Sequence, residues 1–276
     1  RDCLLSRGLG DVYKRQSYCM LACGNEPSGR WVNWVSKFVD YWKATDPRRV
    51  YTGASVGGSW QWQPHNQYHV KAGARGLTWA ERQPESMSDY RAKIDTVKQP
   101  YVSHETGQWC VFPDFNEIRK YTGVNKARNF EIFRDILEDN DMSGQAHDFM
   151  MASGKLQAIC YKHEIEKTLR TPDYAGFQLL ALNDYSGQGT ALVGVLNVFF
   201  EEKGYIDAEK FRRFCSPTVP LARIPKFAYT GDETFHADIE VAHFGAMPLR
   251  GARTVYTVKD KYGKVYAHGV LSLIHI

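Results

Sequence analysis

Residues 17–23 are almost wholly apolar, the pattern of a strand covered on both faces. A punctuating run, Gly24-Asn25-Glu26-Pro27-Ser28-Gly29, then predicts a loop. Over residues 30–44, Trp31, Trp34, Val35, Phe38, Val39 and Trp42 recur at steps of three and four, the stripe of an amphipathic helix. That stripe assigns Trp31, Trp34 and Trp42 to the core. Asp46-Pro47 stops the helix, and residues 49–54 read as a second strand. Strand, helix and strand in close succession form a βαβ unit, which implies a parallel sheet.

Residues 57–99 are rich in Gln, Gly, Trp and His, with one short candidate strand at 67–70 and long loops of the kind that carry binding residues. Residues 100–105 form another short strand, entered through Pro100. Helices are predicted over 129–138, with Asn129 as its cap, and over 155–169. A buried strand at 176–182 ends at Asn183-Asp184. After residue 217 the texture changes. Residues 235–241 and 254–259 alternate with period two, and the turn 260–263 follows, which predicts an antiparallel sandwich beginning near residue 218. The expected fold class is α/β: a partial (β/α)8 TIM barrel over 17–217, then a truncated immunoglobulin-like β-sandwich over 218–270.

The two ends change the composition argument. The last six residues can be encoded by CTG TCT CTT ATA CAC ATC, and the reverse complement of that string translates as residues 11–16. Such an inverted repeat looks like a sequencing adaptor translated at both ends, so 1–16 and 271–276 are expected to be adaptor-derived scars and are set aside. Four cations and two carboxylates lie in 1–16, which supply half of the formal +4 charge. No basic run with interleaved aromatics remains, so nucleic acid is not an expected partner. No apolar stretch reaches the ~18 residues of a membrane span. Compartment is undetermined; a periplasmic or extracellular parent is compatible with the sequence. Cys19, Cys23, Cys110, Cys160 and Cys215 are odd in number, with no CxxC pair or matching His spacing, which argues against both a zinc site and a disulfide framework and predicts buried free thiols.

The candidate chemistry is a pair of carboxylates. Glu26 and Glu105 each close a predicted strand about 80 residues apart, close to the span of three (β/α) units. Hydrolysis of a glycosidic bond with retention needs an acid for the leaving oxygen and a carboxylate nucleophile about 5 Å away. A lone glutamate after a strand is often a cap or a surface charge; the pairing is what points to catalysis.

Three segments carry a family resemblance: Gly24-Asn25-Glu26 followed by a helix and Asp46-Pro47-Arg48-Arg49-Val50, His104-Glu105-Thr106-Gly107, and Gly187-Gln188-Gly189-Thr190-Ala191-Leu192-Val193-Gly194. Over essentially all of 17–270 the chain resembles glycoside hydrolase family 2, the β-galactosidase, β-glucuronidase and β-mannosidase group, in its gut Bacteroidetes form. The resemblance implies that the chain holds the fourth to eighth barrel units, with Glu26 as acid/base and Glu105 as nucleophile. It further implies that Asn25 hydrogen-bonds the sugar 2-hydroxyl and that Tyr68 holds the nucleophile. His104, Trp109, Asn183 and Asp184 complete the candidate substrate-binding set. The eighth strand end carries Asn183-Asp184 where several members have tryptophan, which weakens any preference for galactose.

The expected partner is an oligosaccharide or glycoside substrate. No cofactor or metal is expected, because two carboxylates supply both proton transfer and nucleophile. Trp60, Trp62 and Trp79 are further stacking candidates, while Lys71, Arg75 and Arg82 are assigned to solvated loops. The alternatives are a non-catalytic carbohydrate-binding barrel, an inverting hydrolase, or a hydrolase for a β-glucuronide, β-mannoside or arabinoside. Without three further strands the barrel cannot close, so the chain by itself is expected to be inactive.

Overall fold

The computed structural model describes residues 19–58, 60–185, 189 and 192–272. The expected scar at 1–16, most of 271–276 and half of the 187–194 motif lie outside these residues. The fold is mixed α/β: one five-stranded parallel sheet and two antiparallel two-stranded sheets.

The parallel sheet holds β1 (Met20–Asn25), β2 (Val50–Val56), β3 (His69–Lys71), β4 (Tyr101–Thr106) and β5 (Tyr174–Leu179), side by side in chain order. Each crossover advances one strand in the same direction. Between β1 and β2 runs α1 (Trp31–Thr45), which buries Val35 and Val39. Gly53 on β2 is where that helix makes its closest approach, since a Cβ there would lie 2.8 Å from a Val35 methyl. The crossover to β4 carries the single turn α2 (Arg91–Ile94). The crossover to β5 carries α3 (Arg128–Asp139) and α4 (Ala146–Leu169). Strands β2 and β4 are almost entirely buried, whereas β1 and β5, at the two sides, are partly exposed.

Several sequence expectations need correction. Trp34 lies outside the core at 62% exposure, stacked on Phe38, because the α1 stripe is wider than the face that β2 covers. Asn129 sits inside α3 and donates to the Gly189 carbonyl, so the helix has no side-chain cap. Helix α4 begins nine residues earlier than its hydrophobic periodicity indicates. Of the five described cysteines, all free, only Cys160 is buried.

Past α5 (Ala208–Arg212), β6 (Thr218–Arg223) pairs antiparallel with β7 (Asp238–His243), and β8 (Arg253–Lys259) with β9 (Val265–Ser272). The β6–β7 sheet docks on the parallel unit through Val219, Leu221 and Ala242, which pack against Leu169 at the end of α4. Ser86 ties the joint by donating to the Ala222 carbonyl at 2.7 Å and accepting the Ile224 N–H at 3.0 Å.

Candidate active site

Parallel strands share an end, and both candidate acids lie at the C-terminal end of theirs. Glu26 directly follows β1, with its N–H donated to the Ser55 carbonyl of β2 at 2.9 Å. Glu105 is the penultimate residue of β4. In a flat sheet three strand spacings amount to ~14 Å. Here, one side-chain atom each from Glu26, His104 and Glu105 lie within 4.8 Å of one another. The sheet is therefore curled enough to turn the tips of β1 and β4 toward a common point.

Both acids have left-handed backbone, with φ 43° at Glu26 and φ 55° at Glu105. Non-glycine residues pay of order 1 kcal/mol for this region, and such strain collects at functional sites. At Glu105 the consequence is geometric. Successive side chains on a regular strand point to opposite faces, yet His104 Nε2 and Glu105 Oε1 lie 3.6 Å apart. The left-handed residue breaks the alternation, and the pairing of β4 with β5 shifts register between Ser103 and Thr106. Two consecutive side chains thus share one cleft.

The surroundings of Glu105 fix its orientation. Arg75 Nη1 donates to the carbonyls of His104 at 2.5 Å and Glu105 at 3.0 Å, and reaches Glu105 Oε2 at 3.5 Å. Gln108 Nε2 lies 3.4 Å from the same Oε2. Arg75 is thus not the solvated loop charge expected from sequence: it spans the backbone and side chain of the strand tip. Lys71 is also buried, donating to the Trp60 carbonyl and lying 3.9 Å over the Trp62 ring.

A cavity of about 250 Å³ beside Glu105 is lined by Arg75, Gly76, Gln108, Trp109 and Glu164. Buried Glu164 accepts the Trp109 indole N–H and the Gly76 N–H, each at 2.7 Å. Burial pushes its carboxyl above the usual range, against the pull of those donors. Sequence reasoning passed over Glu164, since one glutamate within a helix carries no signal of its own.

Of the other candidates, Asn25, His104 and Trp109 lie beside the acids, whereas Tyr68, Asn183 and Asp184 do not. Asn25 ends β1 in register with Ser55, exposed beside Glu26. His104 is buried and its Nδ1 faces Gln178 Oε1 at 3.3 Å. Trp109 lines the cavity. Tyr68 lies at the opposite, N-terminal end of β3, buried against Val70 and Val102. Asn183 pairs with Leu196 in an isolated bridge. The Asp184 side chain is fully buried, ion-paired to Lys203 at 2.6 Å and accepting the Gly194 N–H at 2.9 Å, so it anchors its loop and does not reach a cleft. Trp60 packs on Trp31, and Trp79 on His163 and Phe227.

A family model described as a domain of unknown function (DUF8488) matches residues 233–276, the stretch that contains β7, β8 and β9. No curated protein matches the chain. Among solved structures, an FMN-binding β-glucuronidase from Facaelibacterium prausnitzii L2-6 is similar at TM-score 0.38 and 12% identity, over 92% of this chain and 36% of that one. PfGH50B is similar at TM-score 0.35 and 12% identity, over 66% of this chain and 24% of that one. The chain therefore spans about a third of the glucuronidase and a quarter of PfGH50B. Likenesses this distant add nothing to what the side chains of this protein establish.

Proposed function

We propose that this chain carries the catalytic carboxylates of a retaining exo-β-glycosidase. The observation that carries the reading is the close approach, within 4.8 Å, of Glu26 and Glu105 side-chain oxygens at the C-terminal ends of parallel strands. Retaining enzymes hold their two carboxyls ~5–5.5 Å apart, whereas inverting ones leave room for a water at ~6.5–9.5 Å. Glu105 attacks the anomeric carbon while Glu26 protonates the departing glycosidic oxygen. Glu26 then takes a proton from the water that cleaves the glycosyl ester on Glu105, which regenerates both groups. Arg75 and Gln108, on Glu105 Oε2, hold the nucleophile in place and leave Oε1 facing the cleft.

Five parallel strands in chain order, with both acids at one end, support a partial (β/α)8 barrel over 17–217, since active sites of such barrels lie at the C-terminal face. Residues 218–270 would begin an immunoglobulin-like sandwich. Terminal β-galactosides are the first substrates to test, on the resemblance of the Asn25-Glu26 and His104-Glu105-Thr106-Gly107 segments.

The test joins this chain to the three further strands that a closed (β/α)8 barrel requires. Incubation with an activated 2-fluoro β-glycoside panel, led by the galactoside, is expected to leave one glycosyl ester on Glu105, found by peptide mass spectrometry. Glu105→Gln should abolish labelling and lower kcat on the order of 10³-fold or more. Labelling of another residue, or turnover that survives in Glu105→Gln, would overturn the assignment.

A further inference from the structure

We propose that Glu26, His104 and Glu105 also form a binding site for a divalent transition-metal ion of the Zn²⁺ type. It takes the same two carboxylates as the hydrolase reading but does not depend on turnover. Three potential ligand atoms, one from each residue, lie within 4.8 Å of one another. Clustered acids alone would say little. The independent observation is His104, which is 94% buried by its 6% exposure, with its Nε2 without a hydrogen-bond partner and aimed at Glu105 Oε1 at 3.6 Å.

The other ring nitrogen has a partner of its own. Nδ1 faces Gln178 Oε1 at 3.3 Å. Nε2 is thus the ring atom turned toward the Glu105 carboxylate, at 3.6 Å and with no hydrogen-bond partner. A ligating histidine whose second nitrogen is held by an oxygen acceptor is the recurrent outer-shell pattern of metal sites. Glu26 brings a third ligand atom to the same point.

One imidazole and two carboxylates select the ion. Mg²⁺ and Ca²⁺ take oxygen ligands, whereas Zn²⁺ accepts histidine and carboxylate together, with bonds of ~2.0–2.2 Å. Ligands in a tetrahedral shell of that size sit ~3.3–3.5 Å apart, close to the 3.6 Å between His104 and Glu105. Glu26 is exposed and free to close the remaining distance. Arg75 and Gln108 engage Oε2 of Glu105, which leaves Oε1 for the ion. Three protein ligands leave a fourth position open to solvent.

Calorimetric titration of the full chain with ZnCl₂ tests the site, with MgCl₂ alongside. One Zn²⁺ should bind, weakened at least 10-fold in both Glu26→Gln and His104→Gln, and Mg²⁺ should give no saturable heat. Glu26 is exposed, so its variant keeps the fold, and an unchanged melting temperature without metal verifies this. Absence of a one-to-one Zn²⁺ site, or equal affinity in wild type and Glu26→Gln, would overturn the proposal. Zn²⁺ binding together with no glycosyl labelling of Glu105 in the barrel-completed protein would sink the hydrolase reading and leave the metal site standing.

Discussion

Among the buried ionisable groups, Glu117 has the clearest consequence for stability. It lies in the 3₁₀ turn Phe115–Lys120, is 3% exposed, and its Oε2 has no hydrogen-bond partner. Burial, then the proximity of Asp184, pushes its carboxyl up from 4.5 to about 7, with Lys203 pulling the other way. The folded state keeps this proton to about pH 7, while the unfolded chain releases it near 4.5. The stabilisation is therefore complete below pH 4.5 and is lost as pH rises to 7. Glu117→Gln removes the ionisation and should match wild type near pH 4.5, yet exceed it by about 2–3 kcal/mol at pH 8. Urea midpoints at the two pH values check this; a variant equally destabilised at both would contradict it. A second residue-scale lesson concerns Arg75. Its charge could be read from sequence, but its partners are carbonyls and a carboxylate about 30 positions away, which no local pattern encodes.

At the scale of elements, what sequence could reveal depended on whether the buried face was apolar. Helix α1 carries an apolar stripe, and its limits were legible to within a residue. Helix α4 has a stripe as regular, through Met150, Gly154, Gln157, Tyr161, Glu164 and Thr168, but four of these six are polar or glycine. Only Met150 and Gly154 of that face precede residue 155, too few apolar positions for hydrophobic periodicity to register, and the polar Gln157, Glu164 and Thr168 follow. Those polar groups bind backbone: Gln157 donates to the Trp109 carbonyl at 2.7 Å, and Tyr161 lies 2.7 Å from the carbonyls of both Gly107 and Val193. Gly107, at φ 81°, sits so close that a Cβ would lie 2.1 Å from the Tyr161 ring. Helix α4 thereby positions the segment that directly follows Glu105. Tyr161→Phe should cost about 1–2 kcal/mol of stability, measured by denaturant midpoint. On the glycosidase reading it should also lower turnover of the barrel-completed protein while leaving the fold intact by circular dichroism. Full turnover at reduced stability would show that the loop holds its place without the helix.

On the scale of the whole molecule, Arg223 joins Ser86 as a polar link between the β6–β7 sheet and the parallel unit. Its guanidinium reaches Glu240 Oε1 and the Met87 carbonyl, each at 2.5 Å, and lies 3.7 Å from Asp89. A crevice of about 680 Å³ opens beside this joint, between the N-terminal ends of β4 and β5 and the β7 face. Arg223→Met should lower stability by about 1–2 kcal/mol and speed proteolytic cleavage between α5 and β6 several-fold, read by timed digestion and mass spectrometry. An unchanged digestion rate would show that the apolar contacts around Leu169 suffice. The parallel order of the strands was legible from the first βαβ unit, whereas this joint was not, because its partners are more than a hundred residues apart. One last consequence comes from the left-handed backbone at positions 26 and 105. Glycine would sit there without strain, so a lineage selected only for heat resistance would gain by shedding both acids. Their survival in thermostabilised descendants would record a demand that endurance by itself does not impose.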